Sequence, residues 1–192
     1  MITRRLAASG LVVAVAAAIT APARAQLLNP FANYWNSVVH SVEQNDAGAV
    51  QRLLMSGSSP NSTNDAGRTG LHIAAANGNA EIVAMLIKAG AQIEVKDPLG
   101  NTPLFYAADR GHIDVVRQLL DAGATPNSEN QSGVTPLMAA ARRGNVEIVQ
   151  ALLAKGGNPR KTDYTGRDAI GWAEDSSHKA MLVRILREAS AH

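Results

Sequence analysis

Histidine is the residue type of this chain best suited to metal binding or to proton transfer near neutral pH. His40, His72, His112 and His178 are far apart in the sequence, and we expect each to stand alone, without a second histidine or a carboxylate as co-ligand. No serine lies in a nucleophile-elbow pattern, and the lack of cysteine removes thiol catalysis, disulfides and thiolate metal sites. The sequence therefore predicts no catalytic residue, no metal site and no cofactor.

Glycine marks a repeat of 33 residues along most of the chain. Three series of glycines recur at this interval: Gly57, Gly90, Gly123 and Gly156; Gly67, Gly100, Gly133 and Gly166; and Gly78, Gly111 and Gly144. A fixed period of this length is typical of a stack of identical supersecondary units, each too small to bury its own apolar face. The units are expected at about 31–63, 64–96, 97–129, 130–162 and 163–192.

Each unit carries two apolar stripes with the spacing of short helices. The first stripe reads Leu-x-x-Ala-Ala and starts at Leu71, Leu104 and Leu137. The second stripe contains paired branched residues, as in Ile82-Val83 followed by Leu86-Ile87. Its apolar face is so broad that only a flanking layer of structure could cover it. Each unit is therefore predicted to be a turn followed by two short helices.

Turn and cap residues agree with these helices. Threonines stand where the first helix needs an N-cap, at Thr69, Thr102 and Thr135, and prolines follow two of them. The series that begins at Gly78 is expected to end the first helix, and the series that begins at Gly57 to end the second. The series that begins at Gly67 is expected to shape the tight turn before each unit, because a positive φ is easy only for glycine.

Three of the first-helix segments resemble the ankyrin repeat. They are 69–75 (TGLHIAA), 102–108 (TPLFYAA) and 135–141 (TPLMAAA), and the resemblance extends over roughly 31–190. It implies an all-α solenoid of about five helix-turn-helix units with short β-turn or hairpin fingers, occupying 34–192. It also implies that His72 bridges turns by hydrogen bonds, whereas His112 is expected to be a solvated turn residue. The last unit departs most from the motif, with Glu174 in place of an alanine, as suits a terminal cap.

The resemblance also implies a partner-binding surface, the concave groove formed by turn tips and first-helix ends. The matching helix-end residues are Ala76, Asn77, Asp109, Arg110, Arg142 and Arg143, and the matching turn residues are Arg68, Leu99, Asn101, Val134, Tyr164 and Arg167. We expect Arg110, Arg142 and Arg143 to converge and to favour a partner with an acidic patch. The alternative is that these arginines are solvated helix ends paired with Asp109 and Glu147.

The first 25 residues differ in composition from the repeats. Arg4 and Arg5 precede an uncharged, alanine-rich stretch at 6–23, and the sequence Ala23-Arg24-Ala25 follows as a cleavage signal. We interpret 1–25 as a bacterial secretory signal peptide, cleaved before Gln26, with 26–33 as a short N-terminal segment. An uncleaved membrane anchor and export by the twin-arginine route are the alternatives. The mature protein is thus expected in the periplasm, without a membrane association.

Charge and repeat architecture together narrow the function. Removing the signal peptide leaves 15 of the 18 basic residues against 16 acidic ones, so non-specific nucleic-acid binding is not expected. The leading interpretation is a monomeric, non-enzymatic protein-interaction module acting in the periplasm. The alternative is a dedicated stabiliser, inhibitor or immunity protein of one periplasmic enzyme or toxin. A third possibility is an effector exported further, but the signal peptide accounts only for passage across the inner membrane.

Overall fold

The computed structural model describes residues 37–191. The predicted signal peptide, the 26–33 segment and Trp35 lie outside the described residues. Within 37–191 the chain forms ten helices: α1 (Val38–Glu43), α2 (Ala47–Met55), α3 (Gly70–Asn77), α4 (Ala80–Lys88), α5 (Pro103–Arg110), α6 (Ile113–Asp121), α7 (Pro136–Arg143), α8 (Val146–Ala154), α9 (Ala169–Ala173) and α10 (Lys179–Ser190). No helix in this range is both long enough and apolar enough to cross a membrane.

The predicted caps begin and end the first helices. Thr102 and Thr135 accept hydrogen bonds from the backbone N–H groups three residues further on, at 3.3 Å each, and a proline follows each of them. The first helices α3, α5 and α7 end at glycines in the left-handed conformation. The second helices differ slightly from the prediction. Their C-caps are Ala89, Ala122 and Lys155, and the left-handed glycine follows one residue later.

The helices form two rows. The odd-numbered helices α1 to α9 contact one another in chain order, and the even-numbered helices α2 to α10 form the second row behind them. Leu71, Leu104 and Leu137 are fully buried, as are the two alanines that lie three and four residues after each of them. This confirms the predicted Leu-x-x-Ala-Ala stripe: its methyl groups let neighbouring first helices approach closely.

The turns between units depend on an asparagine or aspartate that the sequence analysis overlooked. Asn64, Asp97, Asn130 and Asp163 recur every 33 residues. In each, Oδ1 accepts the backbone N–H groups of the residues two and four positions later, at 2.8–3.1 Å. Strand-like pairing within the described turns is limited to two isolated bridges, Thr63 with Thr69 and Thr162 with Asp168. The expected fingers are thus tight Asx turns rather than extended hairpins.

Two histidines connect successive units. Nε2 of the buried His72 lies 3.1 Å from the Asn101 carbonyl, to which it donates, because a carbonyl oxygen can only accept. Nδ1 of His72 then accepts from the Thr69 N–H group at 3.2 Å, which confirms the predicted bridging role. The prediction for His112 is wrong. Its Nε2 lies 3.0 Å from the Ala76 carbonyl of the preceding unit, and its half-buried ring packs on Gly78.

Candidate functional site

Most of the residues predicted to contact a partner are accessible. Seven are exposed: Asn77, Leu99, Arg110, Arg142, Arg143, Tyr164 and Arg167. Three are half-buried: Arg68, Ala76 and Asp109. We use the name groove surface for these ten residues together with Tyr106 and Trp172, which are described below. It runs along the odd-numbered helices and the turns that precede them.

The prediction that Asn101 and Val134 are exposed on turns is wrong. Their relative exposures are 6% and 7%. Asn101 is held on several sides: its carbonyl accepts from His72, and its Oδ1 accepts from Nδ2 of Asn130 at 3.0 Å. Arg68 and Arg167 occupy the same phase in other units, where Arg68 is half-buried and Arg167 is exposed.

Two of the three arginines expected to converge meet on a single carboxylate. Nη2 of Arg142 donates to Oδ1 of Asp109 at 2.7 Å. Arg143 donates to the same carboxylate through Nε at 3.2 Å and through Nη2 at 3.1 Å. The alternative interpretation is therefore correct about Asp109 but wrong about Glu147, which pairs instead with Arg117 at 2.6 Å. Among the described residues, no carboxylate forms an ion pair with Arg110.

Trp172 adds an aromatic platform beside these arginines. The guanidinium carbons of Arg142 and Arg167 lie 5.1 Å and 5.0 Å from the centre of its ring, within cation–π range. Its Nε1 donates to Oδ2 of Asp163 at 2.9 Å, which fixes the orientation of the half-buried ring. Arg167 is fixed in turn by Asp175, whose Oδ2 accepts from Nη2 at 2.7 Å. The C-terminal part of the groove surface is thus a connected row of arginines around one tryptophan.

Hydrogen bonds set the charge of Asp109, on the groove surface, and of Asp163, which lies beneath Trp172. Burial alone would raise the pKa of Asp109, but the hydrogen bonds from Arg143 and Arg142 outweigh it and hold that pKa below its usual range. Burial likewise opposes ionisation of Asp163, yet bonds from Thr165, from the Arg167 backbone and from Trp172 lower its pKa to about 2. Both carboxylates are therefore negatively charged at neutral pH.

The family assignment comes from comparison with protein-family models. The family model of ankyrin repeats, in three copies, matches residues 38–130 and 122–192. The chain belongs to the ankyrin repeat family. No curated protein matches it. Ankyrin repeats generally act as protein-interaction modules and are typically not enzymes.

Two aromatic residues of these ankyrin units share a hydrogen-bond pattern that was not predicted from the sequence. Tyr106 and Trp172 occupy the same phase, two units apart, and each donates a hydrogen bond to the Asx residue of its own turn. Where that residue is Asn64 or Asn130, the equivalent helix position holds an isoleucine or an alanine instead. The signal was visible in the sequence: an aspartate in the turn accompanies a hydrogen-bonding aromatic residue nine positions later.

The described ankyrin units contain little that could do other chemistry. Between residues 37 and 191, no three histidine, aspartate or glutamate side chains are grouped as metal ligands. The expectation that every histidine lacks a neighbouring carboxylate is wrong for His40, whose Nδ1 lies 3.8 Å from Oε2 of Glu43. Burial lowers the pKa of His72, so this histidine is neutral in its hydrogen-bonded bridge.

Proposed function

We propose that the mature chain is a non-enzymatic protein-binding module of the bacterial periplasm and that its groove surface contacts the partner. The observation that carries this proposal is the row of arginines around Trp172. Arginine and tryptophan are the residues most enriched among the energetically dominant contacts of protein interfaces. Here both are accessible and already oriented by hydrogen bonds, so little side-chain entropy is lost when a partner binds.

The charge of the surface favours an acidic partner. Arg110, Arg142, Arg143 and Arg167 outnumber the two carboxylates paired with them, Asp109 and Asp175. An excess of positive charge speeds association with a negatively charged surface and weakens with added salt. The N-terminal end of the groove surface carries a single arginine, the half-buried Arg68, beside the uncharged Ala76 and Asn77. The acidic part of the partner is therefore expected near the last three units.

Site-specific photocrosslinking tests the location of the binding surface. A photoreactive amino acid replaces Asn77 or Arg110 on the groove surface, or the exposed Gln150 on α8 as a control. The mature protein, exported to the periplasm of its source cells, is then irradiated. We expect a discrete crosslinked partner from the two groove positions and none from position 150. Crosslinking only from position 150 would place the site on the even-numbered helices and contradict the proposal.

The identity of the crosslinked protein distinguishes a general interaction module from a dedicated stabiliser or inhibitor. If the partner is an enzyme or a toxin, its activity and melting temperature are measured with and without the mature ankyrin chain. A large change in either supports the narrower function. An unchanged partner supports a scaffold. Light scattering of the free chain tests the monomeric state that this proposal includes.

A further inference from the structure

Asp109 binds both of its arginine partners with unusually complete geometry for a surface group. One carboxylate accepts three N–H donors from two guanidiniums, and its side chain is only 15% exposed. The Arg142 and Arg143 side chains, in contrast, are 42% and 50% exposed. The three groups carry two positive charges and one negative charge, so the cluster can accept a second carboxylate from outside.

Arg142 connects this cluster to the last ankyrin unit. Its guanidinium donates to Asp109 of the third unit and also lies over the ring of Trp172 of the fifth. Stacking on an aromatic face restrains a guanidinium independently of any carboxylate. Arg142 therefore keeps one restraint when Asp109 is removed or displaced, and the orientation needed to bind a carboxylate does not depend on Asp109 alone.

We propose that Asp109 is an internal competitor for the acidic partner. In the free protein it occupies the donors of Arg142 and Arg143 that a carboxylate of the partner would otherwise use. This inference rests on the proposed function and specifies the partner's chemistry: an extended segment with several Asp or Glu side chains. Packed helices are about 8–10 Å apart, and an extended chain rises about 3.3 Å per residue, so carboxylates roughly three residues apart would match successive units.

If Asp109 competes with the partner, removing its charge should tighten the binding of acidic ligands. Replacing Asp109 by asparagine keeps the size of the side chain but removes the negative charge that repels an incoming carboxylate. It also frees charged donors that bind carboxylates strongly. The loss of one internal restraint acts in the opposite direction, but Trp172 still holds Arg142. We therefore expect Asp109→Asn to bind acidic ligands at least threefold more tightly than the native protein.

Fluorescence anisotropy with a labelled hexaglutamate peptide tests the inference on the purified mature chain at low ionic strength. Asp121→Asn is the matched control, because this exposed carboxylate pairs with Lys155 at 2.9 Å, outside the groove surface. Both variants change the net charge equally. We expect tighter hexaglutamate binding for Asp109→Asn, native-like binding for Asp121→Asn, and no binding of a labelled hexaglutamine peptide to any of the three proteins.

Several results would overturn the competitor role. It is refuted if Asp109→Asn binds hexaglutamate equally or less tightly, or if Asp121→Asn gains as much affinity. The proposed function fails separately. If Arg142→Ala with Arg143→Ala abolishes hexaglutamate binding while Asp109→Asn does not tighten it, the acidic-partner surface stands and only the competitor role is lost. If neither the native protein nor Asp109→Asn binds the peptide, both ideas fail. Native circular dichroism of every variant excludes misfolding.

Discussion

The choice between aspartate and asparagine at one turn position determines which groups that turn can bind. Asn64 and Asn130 donate through Nδ2 to an oxygen of the preceding unit, at 2.8 Å and 3.0 Å. A carboxylate cannot donate, so Asp97 and Asp163 instead accept from Tyr106 and Trp172 of their own units, at 2.6 Å and 2.9 Å. The aspartate turns thereby orient the two aromatic residues of the groove surface.

Asp163 should make the stability of the chain sensitive to acid. Its pKa is about 2 in the folded protein and about 3.9 in an unfolded chain, so folding favours its ionised form. That contribution is complete above about pH 4 and is lost as the pH falls through 2. Asp163→Asn introduces the residue found at the equivalent positions 64 and 130, but it removes the stabilisation that comes from the ionised carboxylate. We expect it to be less stable at pH 7 and to lose less stability between pH 4 and pH 2.

Urea denaturation at pH 7, 4, 3 and 2 measures this difference. The control is Asp114→Asn, which replaces an exposed carboxylate at the start of α6. It should unfold like the native protein at pH 7. If Asp163→Asn lost stability as steeply as the native chain on acidification, the hydrogen bonds of Asp163 would not be the origin of its stabilisation.

At the scale of helices and turns, glycine has two roles: it adopts a positive φ, and it lets the backbone of the next turn approach closely. One pair of substitutions can separate the two roles. Gly90 has a φ of +83°, and a Cβ added there would meet no atom within 4 Å. Gly100 has a φ of +80°, but an added Cβ would lie 2.8 Å from the backbone nitrogen of Gln131 in the next unit. Gly90→Ala should therefore cost only the left-handed strain, roughly 1–2 kcal/mol. Gly100→Ala should cost distinctly more.

Thermal and urea unfolding of the two alanine variants provide the comparison. The extra cost at Gly100 arises because the Gln131 N–H group donates to the Leu99 carbonyl at 3.0 Å, so a clash there disturbs the contact between successive turns. Equal destabilisation of the two variants would mean that the turns move apart freely and do not couple neighbouring units.

The sequence was sufficient to predict the helices because their signals are local. Apolar stripes, threonine caps and left-handed glycines act within one unit. The stripes and the glycines were confirmed for α3, α5 and α7, and the threonine cap bonds for α5 and α7. The burial of Asn101 and Val134 was not predictable in this way, because burial depends on tertiary contacts, such as those of Asn101 with His72 and Asn130 of the neighbouring units. The meeting of Arg142 and Arg143 at Asp109 also crosses units, although their separation of 33 and 34 residues was a readable hint.

At the scale of the whole molecule, the last unit should act as a cap. The helices α9 and α10 cover α7 and α8, in which Met138, Ala139 and Leu152 are fully buried. Truncation after Thr162 removes this cover and also the Trp172 ring that holds Arg142. Because solenoid stability comes from contacts between neighbouring units, the truncated chain should aggregate or unfold at a lower temperature. A monomeric fragment with the native melting temperature would show that the fifth unit is not a cap.

Processing of the N-terminus is a separate prediction from the sequence. Secretory cleavage after Ala25 would give a mature chain that starts at Gln26. Intact-mass spectrometry of protein recovered from a Gram-negative periplasm should detect that chain, with or without cyclisation of the new terminal glutamine. Recovery of the uncleaved precursor in the membrane fraction would support an anchor instead and would contradict the proposed location.

The most direct test of the proposed binding surface is the affinity of the crosslinked partner for a double arginine variant. Arg142→Ala with Arg143→Ala removes two charges from the groove surface. The control, Arg117→Ala with Lys155→Ala, removes two exposed charges that pair with Glu147 and Asp121, away from the groove surface. Both variants should show native circular dichroism. We expect calorimetry to give at least tenfold weaker binding for the first, about 1.4 kcal/mol, and native affinity for the control. Native affinity in the first variant would contradict this account and place the binding surface elsewhere on the chain.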